Sequence, residues 1–199
     1  MTDLPQERIG NITASRAKDM LAEGKGVSRA KYAAELAASR MTGLPHRNSF
    51  TSAAMEHGNE FEIVAATQYE LRNGVMLEGD GKIYIPHPYI KRAGCCPDRF
   101  VNDNGLVEIK NPDSHTFIGY KLSGEIPRPY RLQMIFQLAC TGREWCDFVA
   151  YDPDFPDEDG FLQIRFTPAA EEIKNLENEV IKFDIEVEQL IQKIIEKRK

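Results

Sequence analysis

Residues 94–112, GCCPDRFVNDNGLVEIKNP, decide how this chain is read. Leu106 to Ile109 and Ala93 to Cys96 are short strand-like runs, and Asn102-Asp103-Asn104-Gly105 between them is a turn sequence. The pattern predicts a hairpin. Alternate residues of a strand share a face, so Glu108 and Lys110 point one way while Ile109 points into the core. Asp98 follows Pro97 at the end of the first strand and converges on the Glu108 face. Two carboxylates and an amine then surround one point.

Such a grouping has two readings. In one, Glu108 and Lys110 are a surface ion pair, as E-x-K triplets commonly are. In the other, the repulsion between the acids is resolved by a hard divalent cation, Mg2+ or its substitute Mn2+, which takes oxygen ligands. The Ile109 carbonyl offers a further oxygen. A bound metal lowers the pKa of water and polarises a phosphate. Lys110 orients that water or stabilises charge on the phosphate oxygens, leaving a 5′-phosphate and a 3′-hydroxyl. Context favours the second reading. The E-I-K run closes an apolar strand and is followed by Asn111-Pro112, with Glu62 on a predicted helix upstream and Gln133 on one downstream.

Outward from this stretch, the periodicity predicts a short helix capped by Thr13 or Ser15 and ended by Gly24, and helices over Ser28 to Met41, Ser52 to Arg72 and Tyr130 to Thr141. Strands are predicted at Lys82 to Pro86, Trp145 to Tyr151 and Phe161 to Phe166. A long final helix opens at Thr167-Pro168. Along it Ile173, Leu176, Val180, Phe183, Val187, Leu190 and Ile194 form a heptad seam. The seam fits a helix packed along its own domain or a subunit contact. The fold class is α/β, with a central mixed β-sheet flanked by helices and a long C-terminal helix.

A chain of 199 residues suits a single domain, and 42% hydrophobic content is that of an ordinary globular protein. No apolar run approaches the ~20 residues that span a bilayer. The N-terminus lacks a signal pattern, which points to the cytoplasm. A net charge of −6 argues against an electrostatic DNA coat, yet a metal site needs carboxylates and basic residues need only line one groove. Cys95, Cys96, Cys140 and Cys146 fit no paired zinc spacing and read as reduced, mostly buried thiols, with an iron–sulfur cluster as the alternative. Asp152 to Gly160 is an acidic turn that only loosely resembles a calcium loop. His46, His57, His87 and His115 share no ligand spacing.

Pro97-Asp98 with Glu108-Ile109-Lys110 resembles the core motif of the phage lambda exonuclease group and the related YqaJ-type viral recombinases, which carry the restriction-endonuclease-like PD-(D/E)xK nuclease fold. The resemblance extends to Gly10-Asn11-Ile12-Thr13-Ala14-Ser15, to Gly58-Asn59-Glu60-Phe61-Glu62, to the helix around Gln133, and to the strand ending at Tyr151-Asp152-Pro153. It implies a 5′-to-3′ exonuclease on linear double-stranded DNA, working with Mg2+ at two ions. It also implies a ring-shaped homotrimer, a single-strand annealing protein as partner, and a phage or prophage origin. By position, Asp98, Glu108 and the Ile109 carbonyl would hold metal, Glu62 a second metal, and Lys110 and Gln133 would act on the attacking water. Arg8, Ser15 and Lys25 fall where the family binds the 5′-phosphate, and Met55 where it wedges the duplex, although Ser15 also reads as a helix cap, Arg8 and Lys25 as solvated surface, and Met55 as core. The expected organisation is one nuclease domain, 1–199, whose residues 1–50 bind the DNA end and whose residues 167–199 form the C-terminal helix. A structure- or sequence-specific endonuclease, or a non-catalytic scaffold for an annealing protein, are the alternatives on the same fold.

Overall fold

The strand around Glu108 is central because both of its faces are buried. A computed structural model describes residues 6–22, 27–45, 53–156 and 158–197, with the backbone alone for 27 and 53–60. In chain order the elements are β1 (Ile12–Thr13), α1 (Ala17–Met20), α2 (Val27–Thr42), α3 (Ala53–Asn73), β2 (Leu77–Glu78), β3 (Ile85–Pro86), β4 (Ala93–Cys95), β5 (Arg99–Val101) and β6 (Gly105–Lys110). There follow α4 (Ser114–Ser123), α5 (Arg128–Thr141), β7 (Trp145–Tyr151), β8 (Phe161–Phe166) and α6 (Ala170–Glu196). The main sheet has the order β2-β5-β6-β7-β8, with β6 and β7 parallel and the other pairs antiparallel. A smaller sheet has the order β1-β4-β3.

Strand alternation divides the core in two. Val107, Ile109, Val149 and Tyr151 pack with Ala65, Ala66 and Tyr69 of α3. Leu106, Phe148 and Ala150 face the other way, onto a cluster that includes Phe117 of α4 and Met134, Ile135 and Leu138 of α5. Ile109 is therefore buried as its place in the strand predicts.

The hairpin differs from expectation in its partner. β6 pairs with β5, in the register Arg99↔Val107 and Val101↔Gly105, and not with residues 93–96. The turn is tight, with Asn102 at φ 47°, so it joins the strands immediately flanking it. β4, wholly buried, pairs with β1 and β3 in the smaller sheet. Asp98 thus sits at the junction between two sheets. Gly105 is needed for close approach, because a Cβ there would lie 2.2 Å from the Trp145 ring.

Other boundaries also shift. α4 was not foreseen, although Asp113 caps it by accepting from the Thr116 N–H at 3.0 Å and Gly124 ends it at φ 62°. The strand predicted from Lys82 shrinks to β3, and β1 and β2 are additional short strands. Thr13 makes no side-chain cap, and the segment it opens is a 3-10 turn, Ala14–Arg16, leading into α1. Gly24 lies outside the described residues. The final helix begins at Ala170, not at Thr167-Pro168, because the Ala169 N–H donates to the Glu172 carboxylate at 3.0 Å.

The seam of α6 is consumed within the chain. Leu176, Val180, Phe183 and Val187 are buried, Ile173 and Leu190 are partly so, and Ile194 is the more exposed end. Phe183 stacks on Tyr32 of α2 with ring centroids 5.4 Å apart. Arg40 pairs with Asp184 at 2.6 Å and Glu188 at 2.8 Å, closing α2 onto α6.

Candidate active site

The site forms where β5 stops and β6 runs on. Beyond the Arg99↔Val107 pair, the Ile109 N–H donates instead to Asp98 Oδ2, at 2.8 Å. That bond turns Asp98 toward β6. On the opposite face of β6, Glu108 is completely buried. Its Oε1 accepts from Gln133 Nε2 and its Oε2 from Gln137 Nε2, each at 2.6 Å, and Lys110 Nζ pairs with Oε1. Gln133 and Gln137 are one turn apart on α5, so both amides reach the same carboxylate. Lys110 Nζ also lies 5.3 Å from the centre of the Tyr130 ring. From the α3 side comes Glu62, whose Oε1 accepts from Arg99 Nη1 at 2.7 Å.

The charges are mutually dependent. Burial, and then the charge of Asp98, push the Glu108 carboxyl up to about 7, although Lys110 and Gln137 oppose the shift. Burial works against the Lys110 ammonium, but Glu108 and Asp98 outweigh it and hold the group above the usual lysine range. Lys110 is therefore a cationic donor at neutral pH and not a base. Burial and Asp98 also raise Glu62, against the opposing charge of Arg99.

A charge on Asp98 that raises both Glu62 and Glu108 suits a divalent cation, which would relieve the repulsion. Among the described residues no group of three His, Cys, Asp or Glu side chains forms a ready-made metal cage. Glu108 is held by one ammonium and two amides, and Asp98 by a backbone N–H. The donor set fits the habit of Mg2+, which binds through one or two carboxylates and keeps several waters.

Arg8 and Ser15 come together, Arg8 Nη2 donating to Ser15 Oγ at 3.1 Å, with Thr13 Oγ1 at 3.5 Å from the same hydroxyl. Burial raises the Cys96 thiol, while the charge of Arg8 lowers it and that of Asp98 raises it, so both charges act on this one sulfur. Lys25 and His46 lie outside the described residues, as do the side chains of Met55 and His57.

Two residues in contact with the site escaped the sequence reading. Gln137 carried a usable signal, four residues after Gln133 on one helix. Arg99 carried none, since an arginine in a strand reads as surface. His87 is buried and pairs with Glu177 at 3.2 Å, a link between β3 and α6. His115 pairs with Asp113 at 2.8 Å on the surface. The four cysteines are free thiols; Cys95, Cys140 and Cys146 are buried and Cys96 is half-buried. Asp152 Oδ1 accepts from the Asp154 N–H at 2.9 Å and the Asp152 N–H donates to the Gly160 carbonyl at 2.9 Å, so the described residues of this acidic turn bond to one another.

A hairpin carrying Asp98, Glu108 and Lys110 on a mixed sheet, with a glutamine-bearing helix over it, defines the class as a nuclease with the PD-(D/E)xK fold. Residues 5–144 match the model of the YqaJ-like viral recombinase domain, and the chain belongs to that family. The chain is similar to an alkaline exonuclease, LHK-Exo, from Laribacter hongkongensis, with 38% identity, 96% of this chain and 94% of that chain covered, and a TM-score of 0.87. The same enzyme in complex with dAMP matches at 37% identity over 97% of this chain and 95% of that chain, with a TM-score of 0.89. A phage-related exonuclease from Haemophilus somnus 129PT shares the fold, at 16% identity over 92% of this chain and 96% of that chain and a TM-score of 0.70. Comparison with curated proteins gives no match. The family makes this a DNA-binding nuclease of the exonuclease and recombination type. Among the described residues no helix is long and apolar enough to cross a membrane.

Proposed function

We propose that the protein is a Mg2+-dependent 5′-to-3′ exonuclease that degrades one strand of linear double-stranded DNA and leaves a 3′ overhang for strand annealing. The observation that carries this reading is Glu108, paired with Lys110 and held by two amides of α5, on the same strand whose Ile109 N–H binds Asp98. The dAMP bound to LHK-Exo agrees with hydrolysis that leaves a 5′-phosphate, and it bears equally on attack from either end.

In this reading Asp98, Glu108 and the Ile109 carbonyl would hold one cation, and Glu62 would serve a second. The bound metal supplies Lewis acidity toward the phosphate and lowers the pKa of water. Lys110, held as an ammonium, donates to the water or to the phosphate oxygens as charge develops. Gln133 spends its N–H on Glu108, which leaves its amide oxygen as an acceptor for that water. Burial of Glu108 excludes solvent from the back of the site. Arg8 and Ser15, with Lys25, bind the terminal 5′-phosphate, and Met55 parts the duplex. Residues 1–199 act as one nuclease domain in the bacterial cytoplasm, assembled as a trimer and working with a single-strand annealing protein.

The test is digestion of linear duplex carrying a 5′-phosphate or a 5′-hydroxyl, beside closed circular DNA, with Mg2+. Loss of label from 5′-phosphorylated ends is expected, and attack on circles or from 3′ ends would reject the polarity. Lys110→Ala is expected to cut ~100- to 1000-fold more slowly while still binding Mn2+ and DNA; an unchanged rate would refute its role. Arg8→Ala is expected to abolish the preference for a 5′-phosphate. Light scattering tests the trimer.

A further inference from the structure

Arg99 lies inside the P-D-R run yet is not part of the acid–acid–lysine set. It is 8% exposed, too buried to meet a DNA phosphate. Its register, opposite Val107, directs it to the α3 side of the sheet. There Nη1 donates to Glu62 Oε1 at 2.7 Å and to the Asp98 carbonyl oxygen at 2.6 Å. One nitrogen thus joins a helix to Asp98, the residue just before β5. The carbonyl bond anchors the guanidinium to the backbone, so the arginine cannot follow Glu62 if that side chain swings away. Glu62 is half-buried, with 27% of its side chain exposed, and keeps a second oxygen outside this bond.

From this arrangement we infer that Arg99 is a positioning residue, which fixes the Glu62 carboxylate beside Asp98 so that the two acids form the outer cation site of the nuclease centre. The inference rests on the nuclease reading above. A cation at that point would find Glu62 already in place, at no cost in ordering its side chain. Without Arg99, the Asp98 charge would act on Glu62 with only Lys110 opposing it, and the side chain would be free to swing away. Arginine suits this place because its planar group fixes the directions of both Nη1 hydrogens, which a freely rotating lysine ammonium does not.

The experiment is Mn2+ binding to the DNA-free protein, followed by electron paramagnetic resonance and calorimetry, with cleavage measured against Mg2+ concentration. Wild type is expected to bind a tighter and a weaker ion. Arg99→Met is expected to keep the tighter ion and weaken the other ~10- to 100-fold, with Arg99→Lys in between. Glu62→Gln is expected to match Arg99→Met, and the double variant to add nothing further. In cleavage, the half-saturating Mg2+ concentration should rise by a similar factor while kcat at saturating Mg2+ changes far less. Unchanged or tighter Mn2+ binding in Arg99→Met would overturn the inference, since it would make Arg99 a bystander or a competitor of the ion. If Arg99→Met does not fold, Arg99→Lys and Glu62→Gln decide by the same readout. Should wild type cut no DNA with Mg2+, the nuclease reading fails, and the Mn2+ titrations still decide what Arg99 does. Should wild type cut while the variants keep both ions, the Arg99 inference alone fails.

Discussion

Glu108 departs furthest from what its residue type predicts: a strand glutamate that is fully buried, carries two amides and an ammonium, and is pushed up to about 7 by burial and Asp98. The sign of its pH effect follows. Below the ordinary carboxylate pKa of ~4.3 the proton is bound in both folded and unfolded chains, and its stabilising contribution is complete. As pH rises toward 7 the unfolded chain releases it and the folded one keeps it, so that contribution drains away. Glu62 is raised too and acts in the same sense. Lys110, held above the usual lysine range, stays protonated throughout this window and adds no slope. The Tm of the metal-free protein is therefore expected to fall between pH 5 and pH 8, and Glu108→Gln to flatten the trend; a Tm that rises over that interval would contradict the assignment. Because a cation takes the ionised carboxylate, Mn2+ should raise Tm more at pH 8 than at pH 5. Gln137→Leu removes the donor from Glu108 Oε2. It is expected to move the acidic limb of the cleavage pH profile upward, as measured in kcat/KM.

At the scale of elements, α3 carries Glu62 and is tied to the sheet by a second polar cluster. Asp147 on β7 is fully buried, accepting from Tyr69 at 2.8 Å, from Gln163 at 2.8 Å, and from two nitrogens of Arg165 at 2.8 and 2.9 Å. Tyr69 lies two turns along α3 from Glu62, so this tether sets the helix register that the site needs. Asp147→Ala would leave the buried Tyr69 hydroxyl without its acceptor, at ~1–3 kcal/mol in chemical denaturation, while the half-exposed Arg165 turns to solvent. Tyr69→Phe should cost ~1 kcal/mol. The periodicity of α2, α3, α5 and β7 was legible because each is long enough to repeat its pattern, and β8 was legible from its flanking turn residues. The short strands β1, β2 and β5 were not, since two or three residues carry no period, and their pairing is decided by partners far along the chain.

For the whole molecule, α6 serves as the outer wall of the core. It packs on α2 and α5, and Phe183 at its centre is fully buried. Phe183→Ala is expected to cost ~3–5 kcal/mol, read from the urea midpoint. A chain ending at residue 169 would expose the apolar faces of α2 and α5, and is expected to lose cooperative unfolding by circular dichroism; a sharp native-like transition would refute that role.

From the sequence alone came whatever depends on local repetition. Alternation put Glu108 and Lys110 on one face with Ile109 behind them, and helical spacing marked the elements that flank the sheet. Tertiary structure alone decided that β6 pairs with β5, that α6 buries its seam inside the chain, and that Arg99 reaches from a strand to Glu62. It also drew Glu108 under the amides of α5, out of water and beside Asp98. Those features arise from contacts between segments distant in the chain, where the energy of desolvation and pairing depends on which groups meet and not on their order.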